Sequence, residues 1–190
     1  TSNPNLNIDA LQSNGEILLR TGGQTERMRI DASGDVGIGS SAPTSLLHLA
    51  SNAPYITFED IDNNQDWQIQ ATAWFAIRDQ TANAERMRID SSGKVGIGET
   101  TPLAKLHIKE QDSGVSSISS NGDQLVLENS AHCGMHILSG TGSDGILYFG
   151  DSGGSGMGQL KYQHGSDQFK FETNQSGALT ITSDAALLLG

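Results

Sequence analysis

The segment that most resembles reactive chemistry is Gly150-Asp151-Ser152-Gly153-Gly154, with Ala131-His132-Cys133 upstream. These spell the nucleophile loop and the histidine motif of trypsin-like serine proteases. That chemistry needs a base beside the serine hydroxyl and a carboxylate behind the base, all held by packed barrels. His132 and Ser152 are only 20 residues apart, which leaves no chain for such a scaffold. The segment therefore reads as a glycine-rich loop between strands. Gly140-Thr141-Gly142-Ser143-Asp144-Gly145 matches the dinucleotide fingerprint. The fingerprint requires a helix to follow, and Ile146-Leu147-Tyr148-Phe149 reads as a strand instead.

Two groups have the side chains for a metal. Asp60, Asp62, Asn64 and Asp66 alternate like the first ligands of an EF-hand loop. The glycine and the bidentate glutamate such a loop needs are replaced by Gln65 and Ala71, so a polar turn is the better reading. His132, Cys133 and His136 offer imidazole and thiolate, which suit zinc. On a strand, however, residues four apart lie about 13 Å apart, too far for one ion. No metal or other cofactor is expected. His48 and His107 alternate with leucine and isoleucine, so they are read as facing away from the apolar side. They would be surface residues or intersubunit hydrogen-bond partners. Trp67, Trp74 and Tyr148 are the aromatics that could stack on sugar rings, but in so thin a core structural burial is the better reading. Arg27, Arg29, Arg86 and Arg88 alternate on their strands. With Glu26, Asp31, Glu85 and Asp90 they read as a structural charge ladder.

The elements that carry these residues are short strands. Met28 and Ile30, Leu106 and Ile108, Leu125 and Leu127, Phe169 and Phe171, and Leu179 and Ile181 repeat with period two. Between them stand Ser33-Gly34, Asn63-Asn64, Ser92-Gly93, Asn121-Gly122 and Gly165-Ser166, which supply turns. No segment has a persuasive helical period, so the chain is expected to be all-β.

The strands recur. Laid over one another with a shift of 59, residues 26–49 and 85–108 are identical at 15 of 24 positions, so one structural unit is used twice. A third, worn copy closes the chain: Phe169 to Glu172 stands for Phe75 to Arg78, Leu179 to Thr182 for Met87 to Asp90, and Leu187 to Gly190 for Val95 to Gly98. The first copy lacks the stretch matching Tyr55 to Asp60. Residues 1–52 thus read as a truncated first shaft repeat, 53–110 as a second, and 111–190 as a distal variable segment ending in the degenerate third. In Val36-Gly37-Ile38-Gly39 and Val95-Gly96-Ile97-Gly98, glycines occupy the strand positions between apolar residues. They imply close approach of another backbone, either three chains winding about one axis or a sharp turn within one chain. The intertwined reading is preferred, because the chain is poor in core-forming residues. Pro43 and Pro102 are expected to end the strand pairing that precedes each.

Composition sets the remaining bounds. Hydrophobic residues are 35% and aromatics 5%, against 23 glycines, so a lone chain would bury a thin core and burial is expected to be completed between chains. A net charge of −11 argues against binding a nucleic acid backbone. Cys133 is the single cysteine, so no disulfide forms within the chain. No run is long and apolar enough to suggest membrane insertion.

The run Glu85-Arg86-Met87-Arg88-Ile89-Asp90-Ser91-Ser92-Gly93-Lys94-Val95-Gly96-Ile97-Gly98, with Pro102 and Leu106-His107-Ile108 after it, resembles the shaft repeat of phage tail fibres. Asp123 to Asn129, Ile146 to Asp151, Gly158, Tyr162 to His164 and Phe171 to Asn174 are similar to companion segments of those fibres. The resemblance covers most of the chain from about Arg20. It implies an elongated, intertwined homotrimer of the triple β-helix or β-prism kind, located in the virion after assembly in the host cytoplasm. It implies host attachment through a cell-surface glycan or outer-membrane receptor, without enzymatic activity. The family often carries a self-cleaving intramolecular chaperone at its C-terminus, as endosialidase tailspikes do. None follows Gly190 here, which suggests a matured or shortened end. No catalytic residue is assigned and the receptor-binding residues stay unknown, with the distal segment the expected place for contact. A glycan-degrading tailspike, which would need two carboxylates facing across a groove, and a purely structural spacer are the alternatives.

Overall fold

The computed structural model describes residues 15–63, 65–173 and 176–189. The fold is all-β with three sheets, none closed into a barrel. The one helical element among the described residues is a 3₁₀ turn, Ser120–Gly122. The chain divides into two compact units, residues 1–133 and 134–190.

The first unit holds two sheets built on the same plan. The first sheet runs β1 (Ile17–Thr21), β2 (Thr25–Ile30), β3 (Val36–Ile38), β4 (Leu47–Leu49). The second contains β5 (Tyr55–Phe58), β6 (Trp67–Ala71), β7 (Phe75–Asp79), β8 (Ala84–Ile89), β9 (Val95–Ile97), β10 (Leu106–Lys109) and β11 (Leu125–Glu128), ordered from β11 to β5. In both copies a bulged antiparallel hairpin precedes a tight antiparallel turn. Leu19 faces Met28 in one and Ile77 faces Met87 in the other. The next strand then returns in parallel, β4 beside β3 and β10 beside β9.

The identical residues of the repeat can be traced to this geometry. Asp31 Oδ1 accepts the Ser33 and Asp35 N–H groups, and Asp90 Oδ1 accepts those of Ser92 and Lys94. The fourth residue of each turn, Gly34 and Gly93, has φ of 88° and 78°, where a side chain would be strained. The glycines of Val-Gly-Ile-Gly answer to another backbone, and that backbone belongs to the same chain. A Cβ on Gly96 would stand 2.0 Å from the Glu99 carbonyl oxygen, and one on Gly98 2.2 Å from that of Lys109. The sharp intrachain turn therefore accounts for these glycines without winding of three chains. The prolines do not end the pairing. Pro43 and Pro102 sit inside eight-residue crossovers, 39–46 and 98–105, that deliver the next parallel strand.

The second unit is an antiparallel meander: β12 (Asp144–Asp151), β13 (Gly154–Gln163), β14 (Gln168–Thr173), β15 (Ser176–Ile181) and β16 (Leu187–Leu189). Its last three strands repeat the plan of β7–β8–β9. Phe171 faces Leu179 at a bulge, and Leu179 faces Leu189. The turn survives with other residues, since Thr182 Oγ1 accepts the Ala186 N–H where an aspartate served before. The N-terminal residues 1–14, Asn64, Asn174, Gln175 and Gly190 fall outside the described residues, and with them the start of the first copy.

Each sheet has one apolar face, visible in the register. In the second sheet Ile56, Ile69, Ile77, Met87, Ile97, Ile108 and Leu127 stand opposite one another in a single row. The first sheet carries Leu19, Met28, Ile38 and Leu49, and the third Leu147, Leu160, Phe171, Leu179 and Leu189. Within each unit, the substantial strand contacts among the described residues are between ladder neighbours. Among the described residues the only fully buried hydrophobic side chains are Ala76 and Ala104.

Candidate functional site

The opposite, polar face of the second sheet carries a cluster in which Glu99, His107 and Glu128 are buried and Lys109 half-buried. His107 and Lys109 are two apart on β10, so they share a face, and Glu128 of β11 pairs with Lys109. Across β9, His107 faces Gly96. The bare glycine lets the 98–105 crossover lie down on this face and bring Glu99 over it. The four side chains close on one another. Lys109 Nζ lies 2.6 Å from Glu99 Oε2 and 3.9 Å from Glu128 Oε2. His107 Nε2 lies 2.8 Å from Glu128 Oε2. His107 is 1% exposed, the largest fully buried side chain among the described residues.

The remaining oxygens hold loops. Glu99 Oε1 accepts both the N–H and the hydroxyl of Thr101. Glu128 Oε1 accepts the N–H and hydroxyl of Ser113 at 2.7 and 2.8 Å. Burial pushes the Glu99 carboxyl up, but Lys109 and the Thr101 donors outweigh it and hold the group at about 2. The Ser113 N–H and hydroxyl, then Lys109 and His107, hold Glu128 below its usual value despite burial. Lys109 is raised, chiefly by its hydrogen bond to Glu99. A cleft of about 390 Å³ opens beside the group, walled also by Thr101, Asp112 and Ser116.

Ligand atoms of Glu99, His107 and Glu128 all lie within 4.8 Å of one another, which raises the question of a metal. Two features oppose it. The Lys109 ammonium already supplies the positive charge between the carboxylates. His107 Nδ1 accepts the Leu103 N–H at 3.3 Å, so its proton sits on Nε2, the nitrogen a metal would need. A ligating histidine has the reverse arrangement, donating from its outer nitrogen. That Nε2–H lies close to Glu128 without lining up as a hydrogen bond. The arrangement is an ion-pair clasp that fastens the crossover and the 110–114 segment to the strands.

The clasp belongs to one copy. With the shift of 59, Ser40 stands for Glu99 and Ala50 for Lys109. Sequence reading missed Glu99, Lys109 and Glu128. The available signal was the paired gain of a negative and a positive residue between two otherwise similar copies. It also read His107 as outward-facing. The parity was right, but Leu103 of the crossover and Glu128 of β11 close on His107, so outward did not mean exposed.

The other singled-out residues are dispersed. Asp151 Oδ1 accepts the Gly153 and Gly154 N–H groups, so Ser152 sits in the tight β12–β13 turn. Gly140 opens a turn, its carbonyl accepting the Ser143 N–H, and β12 follows it rather than a helix. Asp60 spends its carboxylate on Asp62 and Asn63, and Asp66 on the Asp60 N–H; Asn64 lies outside the described residues. His132 and Cys133 are exposed, and His136 belongs to the second unit. Trp74 is engaged, donating to Glu85 and stacked under the Arg88 guanidinium at 4.2 Å. Trp67 and Tyr148 are exposed, at 38% and 59%. Arg29 pairs with Glu26 and Glu16, and Arg88 with Glu85. Arg86 takes Asp79 and Arg27 takes Thr21, while Asp31 and Asp90 serve the turns. His48 keeps a buried Nδ1 without a hydrogen-bond partner.

No protein-family model matches the chain, and no curated protein is similar enough in sequence to match it.

Proposed function

We propose that this chain is a structural and host-attachment segment of a phage tail fibre, acting as a homotrimer that displays a surface for a host cell-surface glycan or outer-membrane component. The single observation that carries the oligomer is the exposure of the apolar faces, on which Leu19, Ile38, Ile97 and Phe171 are 40–50% exposed. A stable domain buries such a face against a second packed layer. Three copies, each turning such faces inward, would supply the missing layer and leave the charged face to water. The net charge of −11 then keeps the assembly soluble. The assignment to a tail fibre rests on the resemblance of the Glu-Arg-Met-Arg-Ile-Asp to Val-Gly-Ile-Gly run and its companion segments. Attachment by such a fibre works through multivalency, where three equivalent sites raise avidity without tight single contacts.

The glycan-degrading reading has less support. A hydrolase needs one carboxyl held protonated as the acid. The clasp brings two carboxylates within 4.8 Å of one another, and both are held below their usual range. The direct test is binding of the purified, labelled chain to bacterial cells and to their extracted surface polysaccharide. Saturable binding without release of reducing sugar supports the proposal. Release of reducing sugar would favour the glycan-degrading tailspike instead, and no binding to any envelope fraction would leave a purely structural spacer.

A further inference from the structure

The two copies end differently at the same place. In the second copy the outer edge of β10 is filled by β11 in parallel, with Lys105 and Glu110 N–H groups donating to Asp123 and Glu128 carbonyls. In the first copy the matching edge of β4 has no ladder partner among the described residues, and neither has the outer edge of β5. Open edges present unpaired N–H and C=O groups that native sheets normally cover. A cleft of about 250 Å³ is lined by Leu47 and Leu49 of β4, Tyr55 and Ile56 of β5, and Ile69 of β6. We infer that β4 of one copy accepts β5 of a neighbouring copy as a parallel strand, so that each chain passes into the next. This rests on the trimer proposed above.

Three observations support it. The first is the template, since the same edge in the second copy takes a strand of the same direction. The second is chain length. β5 follows β4 after only five residues, 50–54, whereas the parallel returns the chain does make use eight and fifteen, 39–46, 98–105 and 110–124. A parallel return within one chain needs a longer crossover than this. Passing outward to a neighbour needs only reach, and five residues span up to about 18 Å. The third is register. Setting Ile56 opposite Leu47 and Phe58 opposite Leu49 keeps the apolar residues on the apolar face, and Thr57 then falls opposite His48 as Val126 does opposite His107.

The test is a disulfide bridge across the inferred pair. In the full chain carrying Cys133→Ser, His48→Cys and Thr57→Cys would be combined, oxidised and run on a non-reducing denaturing gel, with light scattering beforehand. Dimer and trimer bands, absent from each single-cysteine variant, would support the exchange. A bridged band of monomer size would overturn it by showing the strands pair within one chain. An assembly of three times 20.1 kDa that yields no bridge would overturn the exchange and leave the trimer standing. A monomer by light scattering would remove both. Should the loss of His48 itself impair assembly, Leu47→Cys with Ile56→Cys probes the same register and is read the same way.

Discussion

Glycine at position 96 is fixed by one contact, since a Cβ there would press to 2.0 Å from a backbone oxygen that cannot swing away. Gly96→Ala should therefore cost about 1–3 kcal/mol, the usual range for forcing an atom into a packed site. Gly122 meets nothing within 4 Å, and Gly122→Ala should change stability by less than about 0.5 kcal/mol. Urea midpoints of the two variants decide the matter. Equal midpoints would mean the crossover is not packed on the strand. Glu99 makes a second prediction at this scale. Its carboxyl has an ordinary value of 4.5 and is held at about 2 in the folded chain. A depressed carboxyl contributes stability that is complete above its unfolded value and lost as pH falls through the folded one. The clasp should thus weaken between about pH 4.5 and pH 2, and Glu99→Gln should flatten the melting temperature over that window. A variant with the same acid slope as the parent would show that other groups carry it.

Turns, more than strands, fix the element scale, because three hairpins of one geometry recur with different residues. Gly34, Gly93 and Ala185 occupy the same left-handed position, with φ of 88°, 78° and 63°. Alanine there is strained by about 1 kcal/mol or more. Ala185→Gly should stabilise the second unit by up to about 1 kcal/mol, while Gly93→Ala should destabilise the first. Hydrogen exchange of the β15–β16 hairpin reads the first effect, and slower exchange in the variant is the expected result. These turns were legible in the sequence, because Ser-Gly and Asp at fixed offsets state a backbone conformation locally. Period-two runs such as Met87 and Ile89 gave the strands for the same reason, and even the worn third copy kept its spacing. The parallel returns were not legible. Nothing local in Pro102 or Leu106 says that β10 comes back beside β9, because that pairing depends on a glycine several residues earlier. The clasp was hidden for a longer-range reason: the carboxylate beside His107 comes from Glu128 on β11, which begins 18 residues further on.

For the whole molecule the question is what covers the apolar rows. The row through Ile77, Met87 and Ile97 runs the width of the second sheet, and Ile97 remains 40% exposed. If a trimer covers it, a charge at the centre must be desolvated in three places at once. Ile77→Lys should then abolish assembly, reducing the mass in solution from three times 20.1 kDa to that of one chain. Lys105→Glu, on an exposed residue, should leave the mass unchanged. Each copy brings a net charge of −11, so association works against like-charge repulsion. Added salt screens that repulsion, and the parent trimer should resist dilution better at 0.5 M salt than at 0.02 M, concentrations whose screening lengths differ roughly fivefold. Light scattering across a dilution series measures both effects. A parent chain that stays monomeric at every salt concentration would mean the rows are covered by something other than its own copies, and the fibre reading would fall with the trimer.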